Sequence, residues 1–231
     1  MAQTDSFKAG QLKNKRVKDA HDTKWPALEA EMKKQSIDPK NYEVFLRVFK
    51  MEKSLEVWLR NKGEDTYKLF KTYAICASSG SLGPKRKEGD GQVPEGFYTI
   101  DLFNPASDYY LSMRVSYPNE SDRILKKGKN AGGAIMVHGN CVTIGCIPIT
   151  DEYIKELYIL CLESKSPQTS IHIDIFPCKL TAGNVKTLEA NYPKEKMDFW
   201  STLKPVYDFF EKNKNRPKVK VDKAGKYYIA G

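Results

Sequence analysis

No stretch of this chain is long and apolar enough to cross a bilayer as a helix, and none has the apolar core of a signal segment. Met1-Ala-Gln-Thr-Asp5 reads as an initiator methionine placed before a mature polypeptide. Histidine is scarce, three residues in 231, and no second one lies near His138. The cysteines form no CxxC pair, so neither a metal nor any other cofactor is expected. There are five of them, too few for a disulfide scaffold, and an odd number leaves at least one thiol free in a monomer. Carboxylates are outnumbered: 38 Lys and Arg against 29 Asp and Glu give a net charge of +9. Such a balance attracts anionic polymers, but lysine is spread along the whole chain. Without a helix-turn-helix, zinc-finger or RNA-binding signature, nucleic acid is not an expected partner. Internal repeats are absent as well.

What is present is enough chain to bury a core and a clear change of period along it. Residues 5–37 are charge-rich with thinly spaced apolar residues, which predicts one or two helices split at Trp25-Pro26. The apolar runs 42–49 and 55–59 predict a hairpin, 67–76 a third strand, and 97–102 and 109–117 two more. Pro118-Asn119 is a turn signal, and Asp122-Arg123 reads as an exposed ion pair. Between strands, residues 78–94 form a Gly-, Ser-, Lys- and Pro-rich loop too long for a simple turn. Residues 170–177 alternate, with Ile171, Ile173 and Ile175 on one face and His172 on the other, where it is not promoted to a ligand. Helices are predicted over 181–191 and 195–213, the second kinked or restarted at Pro205, before a terminal hairpin at 218–222 and 226–229. Cys161 and Cys178 read as buried and reduced. The fold class is mainly β with flanking helices (α+β). Its expected organisation is a helical appendage over 1–40, a catalytic domain over 41–178, and a C-terminal helical extension with a hairpin over 179–231 packed on it.

The chemistry concentrates in residues 134–150. Ala134-Ile-Met-Val-His138 reads as a buried strand, and Thr150-Asp151-Glu152 as a helix start with a capping hydroxyl and two carboxylates at the positive end of the dipole. Between them lie two cysteines, Cys141 and Cys146, within loop reach of His138. A thiol is a useful nucleophile only as thiolate, and imidazole is its commonest activator. Gly145 allows a sharp turn and leaves N–H groups able to face an oxyanion. A buried cysteine is equally at home as a small hydrophobe.

The order His138-Gly139-Asn140-Cys141-Val142-Thr143-Ile144-Gly145-Cys146 resembles the signature of the L,D-transpeptidase (YkuD) family, and its short loop resembles that of the YafK/DpaA-like branch. The likeness runs from about Val44 to Tyr228 and includes Gly83–Ile100, Tyr109–Asn119 and Asp198–Phe210. It implies a β-sandwich catalytic domain and an extracytoplasmic, periplasmic enzyme on peptidoglycan stem peptides. In that reading Cys146 is the nucleophile, His138 the base and the Gly139 carbonyl its orienting partner, with Gly145 and Cys146 N–H groups as the oxyanion site. Lys85, Arg86, Tyr117 and Thr143 become substrate contacts. The branch implies a Cys76–Cys141 disulfide and favours hydrolysis at a lysine-attached lipoprotein. Formation of 3-3 cross-links or attachment of a lipoprotein is the alternative, and a non-catalytic wall-binding module the rival of another class. Two features depart from the wider family: the short His–Cys spacer, and Pro148 where many relatives carry arginine.

Overall fold

A computed structural model describes residues 2–165 and 170–231. Helices α1 (Ala2–Leu12) and α2 (Lys15–Lys34) open the chain, followed by β1 (Tyr42–Phe49), β2 (Ser54–Asn61) and β3 (Lys68–Ala74). A long loop leads to β4 (Gly96–Asn104) and β5 (Ser112–Val115), then α3 (Glu120–Leu125), β6 (Met136–His138) and β7 (Ile147–Pro148). After them come α4 (Asp151–Ser164), β8 (Ile171–Phe176), α5 (Ala182–Asn191), α6 (Lys194–Asn213) and a ribbon of β9 (Val219–Val221) and β10 (Tyr227–Ile229). Eight strands form one sheet in the order β3-β2-β1-β8-β4-β5-β6-β7. The class is mainly β with flanking helices, as expected; the strands join edge to edge into a single curled sheet.

Alternation assigns the two faces. Val44, Leu46 and Val48 of β1 and Ile171, Ile173 and Ile175 of β8 pack with Val17, Leu28 and Met32 of α2 and Leu157 and Cys161 of α4. The opposite face presents Phe49 and Phe176, which meet Trp200, Leu203 and Tyr207 of α6. Each such side chain contributes roughly 1.5–3 kcal/mol when fully buried, so both helical layers are held strongly. The predicted alternation in β8 therefore separates two cores. His172 stays on the α6 side with Arg216 near it, and burial pushes its imidazole down to about 4.

Four expectations change. The 1–40 segment is no loose appendage, because Val17, Ala20, Leu28 and Met32 are buried in the main core. Its break falls before Lys15, where the Asn14 side chain accepts from Arg16 N at 2.9 Å, rather than at Pro26. Both α2 and α6 run through their prolines, Pro26 and Pro205; a proline forfeits one helical hydrogen bond, and the buried residues after each retain the helix. Asp122 is buried, not surface-paired. It closes a capping box with Asn119 at the start of α3, accepts from Tyr98 Oη at 2.9 Å, and is pushed up to about 6 by burial.

One buried carboxylate ties the long loop to both faces. Glu95, wholly buried, accepts from Lys50 Nζ at 2.8 Å, Gly83 N at 2.7 Å and Trp200 Nε1 at 2.6 Å. Lys50 also donates to the carbonyls of Gly83 and Val93. Removing one member of such a pair leaves an uncompensated buried charge. Glu95→Ala is therefore expected to cost about 3–5 kcal/mol in urea unfolding; a loss under about 1 kcal/mol would mean that the loop is held by other contacts.

Candidate active site

Parallel pairing of β6 and β7 sets Val137 opposite Ile147 and His138 opposite Pro148. Carried back one residue, that register places Cys146 beside Met136. Alternate residues of a strand share a face, so Cys146 and His138 project from the same side of the sheet. Parallel neighbours are normally joined by a dozen residues or more; here the connection is the eight residues Gly139–Cys146. So short a return must be pinned at several points. Asp151 Oδ1 accepts from Asn140 N at 2.8 Å, and Asn140 itself takes a left-handed φ of 60°. A Cβ on Gly139 would lie 3.0 Å from Tyr109 O and closer still to the Asp151 carboxylate. Gly145 has φ +140°, and a Cβ there would meet Gln92 O at 3.1 Å. Thr143 Oγ1 accepts from Gly145 N at 3.1 Å and donates to Cys146 O at 2.9 Å. Finally, Cys141 is joined to Cys76 by the disulfide that the branch likeness implied, with Cα atoms 5.3 Å apart. Only the tip escapes, leaving Ile144 89% exposed.

His138 is 1% exposed. Its Nδ1 lies 2.5 Å from its neighbour's carbonyl, Gly139 O, so Nδ1 carries the hydrogen and Nε2 holds a bare lone pair. That Nε2 is buried without a hydrogen-bond partner. The ring of Tyr109 covers the imidazole, with centroids 4.7 Å apart. Burial pushes the His138 pKa down, and the Gly139 carbonyl opposes this only in part. Burial also pushes the Cys146 thiol up, against the Met136 backbone hydrogen bond and the Lys85 charge. Cys146 Sγ rests 3.7 Å from Ala134 O. The pair is thus a neutral thiol and a neutral imidazole on one face of the sheet, not hydrogen-bonded to each other. This arrangement suits general base catalysis once a substrate arrives.

Cys146 opens into a cavity of about 350 Å³ walled by Val48, Ile75, Ser79, Leu82, Val93 and Tyr192. The 78–94 loop supplies three of these residues, Ser79, Leu82 and Val93. Its cations sit elsewhere. Lys85 is buried against Asp90 Oδ1 at 2.7 Å and Lys87 O at 3.0 Å. Arg86 pairs with Asp122 at 3.4 Å, stacks over Phe199, and lines a separate groove of about 480 Å³ that does not include Cys146. Tyr117 is buried with its hydroxyl donating to Ala131 O at 2.8 Å. Thr143 is spent inside the loop. The four residues foreseen as substrate contacts are thus each engaged in contacts within the protein. Cys146, His138, Gly139 and Gly145 do come together, but Gly145 N is already bonded, so it is not free for an oxyanion. The roles of Tyr109, Asp151 and Lys50 around the site were missed, because each acts through a contact that no local pattern signals. Among the described residues no His, Cys, Asp and Glu cluster could hold a metal ion.

Residues 44–173 match the family model of the L,D-transpeptidase catalytic domain, YkuD. The chain is 36% identical over 190 residues to YafK of Escherichia coli (strain K12), whose own assignment as an L,D-transpeptidase is provisional; the match spans 81% of this chain and 74% of YafK. Among solved structures it is similar to the helical cell shape determining protein Pgp2 of Campylobacter jejuni, at 20% identity and TM-score 0.48, over 79% of this chain and 73% of that one. It is also similar to L,D-transpeptidase 1 of Mycobacterium tuberculosis, at 14% identity and TM-score 0.32, over 58% and 62% of the two chains.

The resting protonation state is open to direct measurement. With Cys161 and Cys178 buried and Cys76 and Cys141 bonded, iodoacetamide should modify Cys146 alone in the folded protein. Its rate is expected to climb with pH without levelling off below the ordinary thiol value of 9.0. A plateau near neutral pH would instead reveal a preformed thiolate–imidazolium pair.

Proposed function

The chain belongs to the L,D-transpeptidase (YkuD) family, whose catalytic domain acts on peptidoglycan, and from that premise we propose a cysteine amidase that releases a lysine-attached lipoprotein from peptidoglycan stems. The observation that carries the cysteine chemistry is the bare, buried Nε2 of His138 on the same sheet face as Cys146, with Nδ1 committed to Gly139 O.

The donor is the carbonyl at the L-centre of the stem's diamino acid. As Cys146 Sγ attacks the carbonyl carbon, its proton passes to His138 Nε2 and an S–C bond forms. The Cys146 N–H supports the oxyanion, since Thr143 already holds the Gly145 N–H. When the intermediate collapses, the C–N bond breaks and His138 returns the proton to the leaving amine, leaving a thioacyl-enzyme. Water then gives a proton to Nε2 and its oxygen to the acyl carbon, the C–S bond breaks, and the sulfur recovers the proton.

Two features favour water over a second amine. The catalytic loop is short and pinned at Cys141, which leaves little chain to build a second pocket. Pro148, where many relatives carry arginine, is buried in β7 and offers no donor. The disulfide supports action in an oxidising compartment, the periplasm in this reading.

The discriminating assay pairs a disaccharide-tetrapeptide with a muropeptide carrying a lysine-linked lipoprotein remnant. Release of the lysine peptide without new dimers is the expected outcome. Diaminopimelate-to-diaminopimelate dimers with the lysine adduct intact would make the protein a transpeptidase, and no product from either would favour a binding module. Cys146→Ala should abolish turnover and His138→Ala should lower it by several orders of magnitude. Activity should persist below the ordinary imidazole value of 6.5, because the base is held neutral there. An acid limb at or above 6.5 would contradict the assigned base.

A further inference from the structure

Ser112 on β5 lies directly opposite His138 on β6. The backbone bonds flanking this pair, Gly139 N to Leu111 O at 3.2 Å and Val115 N to Ile135 O at 2.9 Å, fix the ladder's phase. Counting from either, Ser112 and His138 form a non-hydrogen-bonded pair, the kind whose side chains approach most closely, with Cα atoms roughly 4.5 Å apart. Directly opposed residues of an antiparallel ladder share a face. Both residues are 1% exposed. Both also carry an orphaned polar atom, Ser112 Oγ and His138 Nε2. A buried hydroxyl or ring nitrogen left without a partner is costly, and here two such atoms belong to residues directly opposed across one ladder rung. On the other flank of His138, β7 follows Cys146, so Ser112, His138 and Cys146 occupy successive strands on one face.

We propose that Ser112 is a positioning residue for His138, its hydroxyl serving as the hydrogen-bond partner of Nε2. In the resting structure Cys146 Sγ is turned to Ala134 O, and Ser112 Oγ and His138 Nε2 both stand without a partner; the bond between them forms once the ring is protonated. When Cys146 passes its proton to Nε2, the hydroxyl rotates and accepts from the new N–H. The serine gains and loses no proton; it holds the imidazolium in line until the leaving amine takes the proton away. This assignment rests on His138 as the base of Cys146 and not on any particular acyl acceptor.

Removing the hydroxyl should matter more to the charged ring, because hydrogen bonds to ions are about twice as strong as neutral ones. Ser112→Ala is thus expected to lower the His138 titration midpoint, read from the 15N shifts of the ring, by about half to one pH unit. The Nε2–H resonance of the protonated ring should move towards that of a non-hydrogen-bonded imidazolium. Turnover of the muropeptide should fall about tenfold through kcat with KM unchanged, and Ser112→Thr should restore both readouts. Thermal melting of each variant separates loss of fold from loss of positioning. An unchanged midpoint and Nε2 shift in folded Ser112→Ala would overturn the proposal, as would a folded threonine variant that behaves like alanine. The ring titration needs no substrate, so it decides on Ser112 even if the amidase reading fails, while failure of turnover in the unmodified protein counts against the amidase alone.

Discussion

Everything distinctive about this molecule follows from two parallel strands joined by a connection that is too short for the usual crossover. β6 and β7 lie side by side, yet only Gly139–Cys146 separates them. A flexible return of that length would lose the register that puts thiol and imidazole on one face. The chain restrains it with a carboxylate on Asn140 N, a hydroxyl across Thr143–Cys146, and a disulfide to the end of the β2–β3 edge. The connection also turns back on His138 itself: the first carbonyl of the loop, Gly139 O, holds Nδ1. The loop that returns Cys146 to this face thereby also sets the tautomer of His138.

The electrostatics of the pair and the packing around it have one origin. Burial disfavours charge on both partners, and the walls that bury them are held by groups with satisfied charges. Glu95 anchors the loop through Lys50, Gly83 and Trp200. Asp90 holds Lys85 and the backbone of the same loop. Lys85 and Arg86 belong to the framework, and the cavity beside Cys146 is lined by apolar groups together with Lys50 and Lys53. A pair that rests neutral is protected from adventitious oxidation, since oxidation follows thiolate character. In the proposed reaction it is a bound carbonyl that makes proton transfer to His138 favourable.

Much of this was legible in the residues. Period-2 alternation in β8 and the apolar runs of β1 and β2 identified strands within a residue or two, because each buries a face whose period the sequence records. Thr150 announced α4 through its capping hydroxyl, which accepts from Tyr153 N. The His138–Cys146 loop was visible as a motif, and likeness to a known family gave it weight that spacing alone did not. What escaped was whatever depends on partners far along the chain. Lys85 and Arg86 look like surface cations until Asp90 and Asp122 are placed beside them. Asp122 looks like half of a local ion pair until Tyr98 arrives from β4. Proline punctuation misled at Pro26 and Pro205, where burial of α2 and α6 outweighed one lost hydrogen bond each. Tyr109 over His138 has no local signal at all.

The central claim is that Cys146, activated by His138, forms a covalent thioacyl intermediate with a peptidoglycan stem. Rapid acid quench of the enzyme with its muropeptide, followed by intact-mass measurement and peptide mapping, tests it most directly. The account predicts a transient adduct of the stem's acyl mass on the peptide containing Cys146, absent in Cys146→Ala and accumulating slowly in His138→Ala. An adduct on any other residue, or turnover with no covalent species in a quench faster than the catalytic cycle, would contradict it.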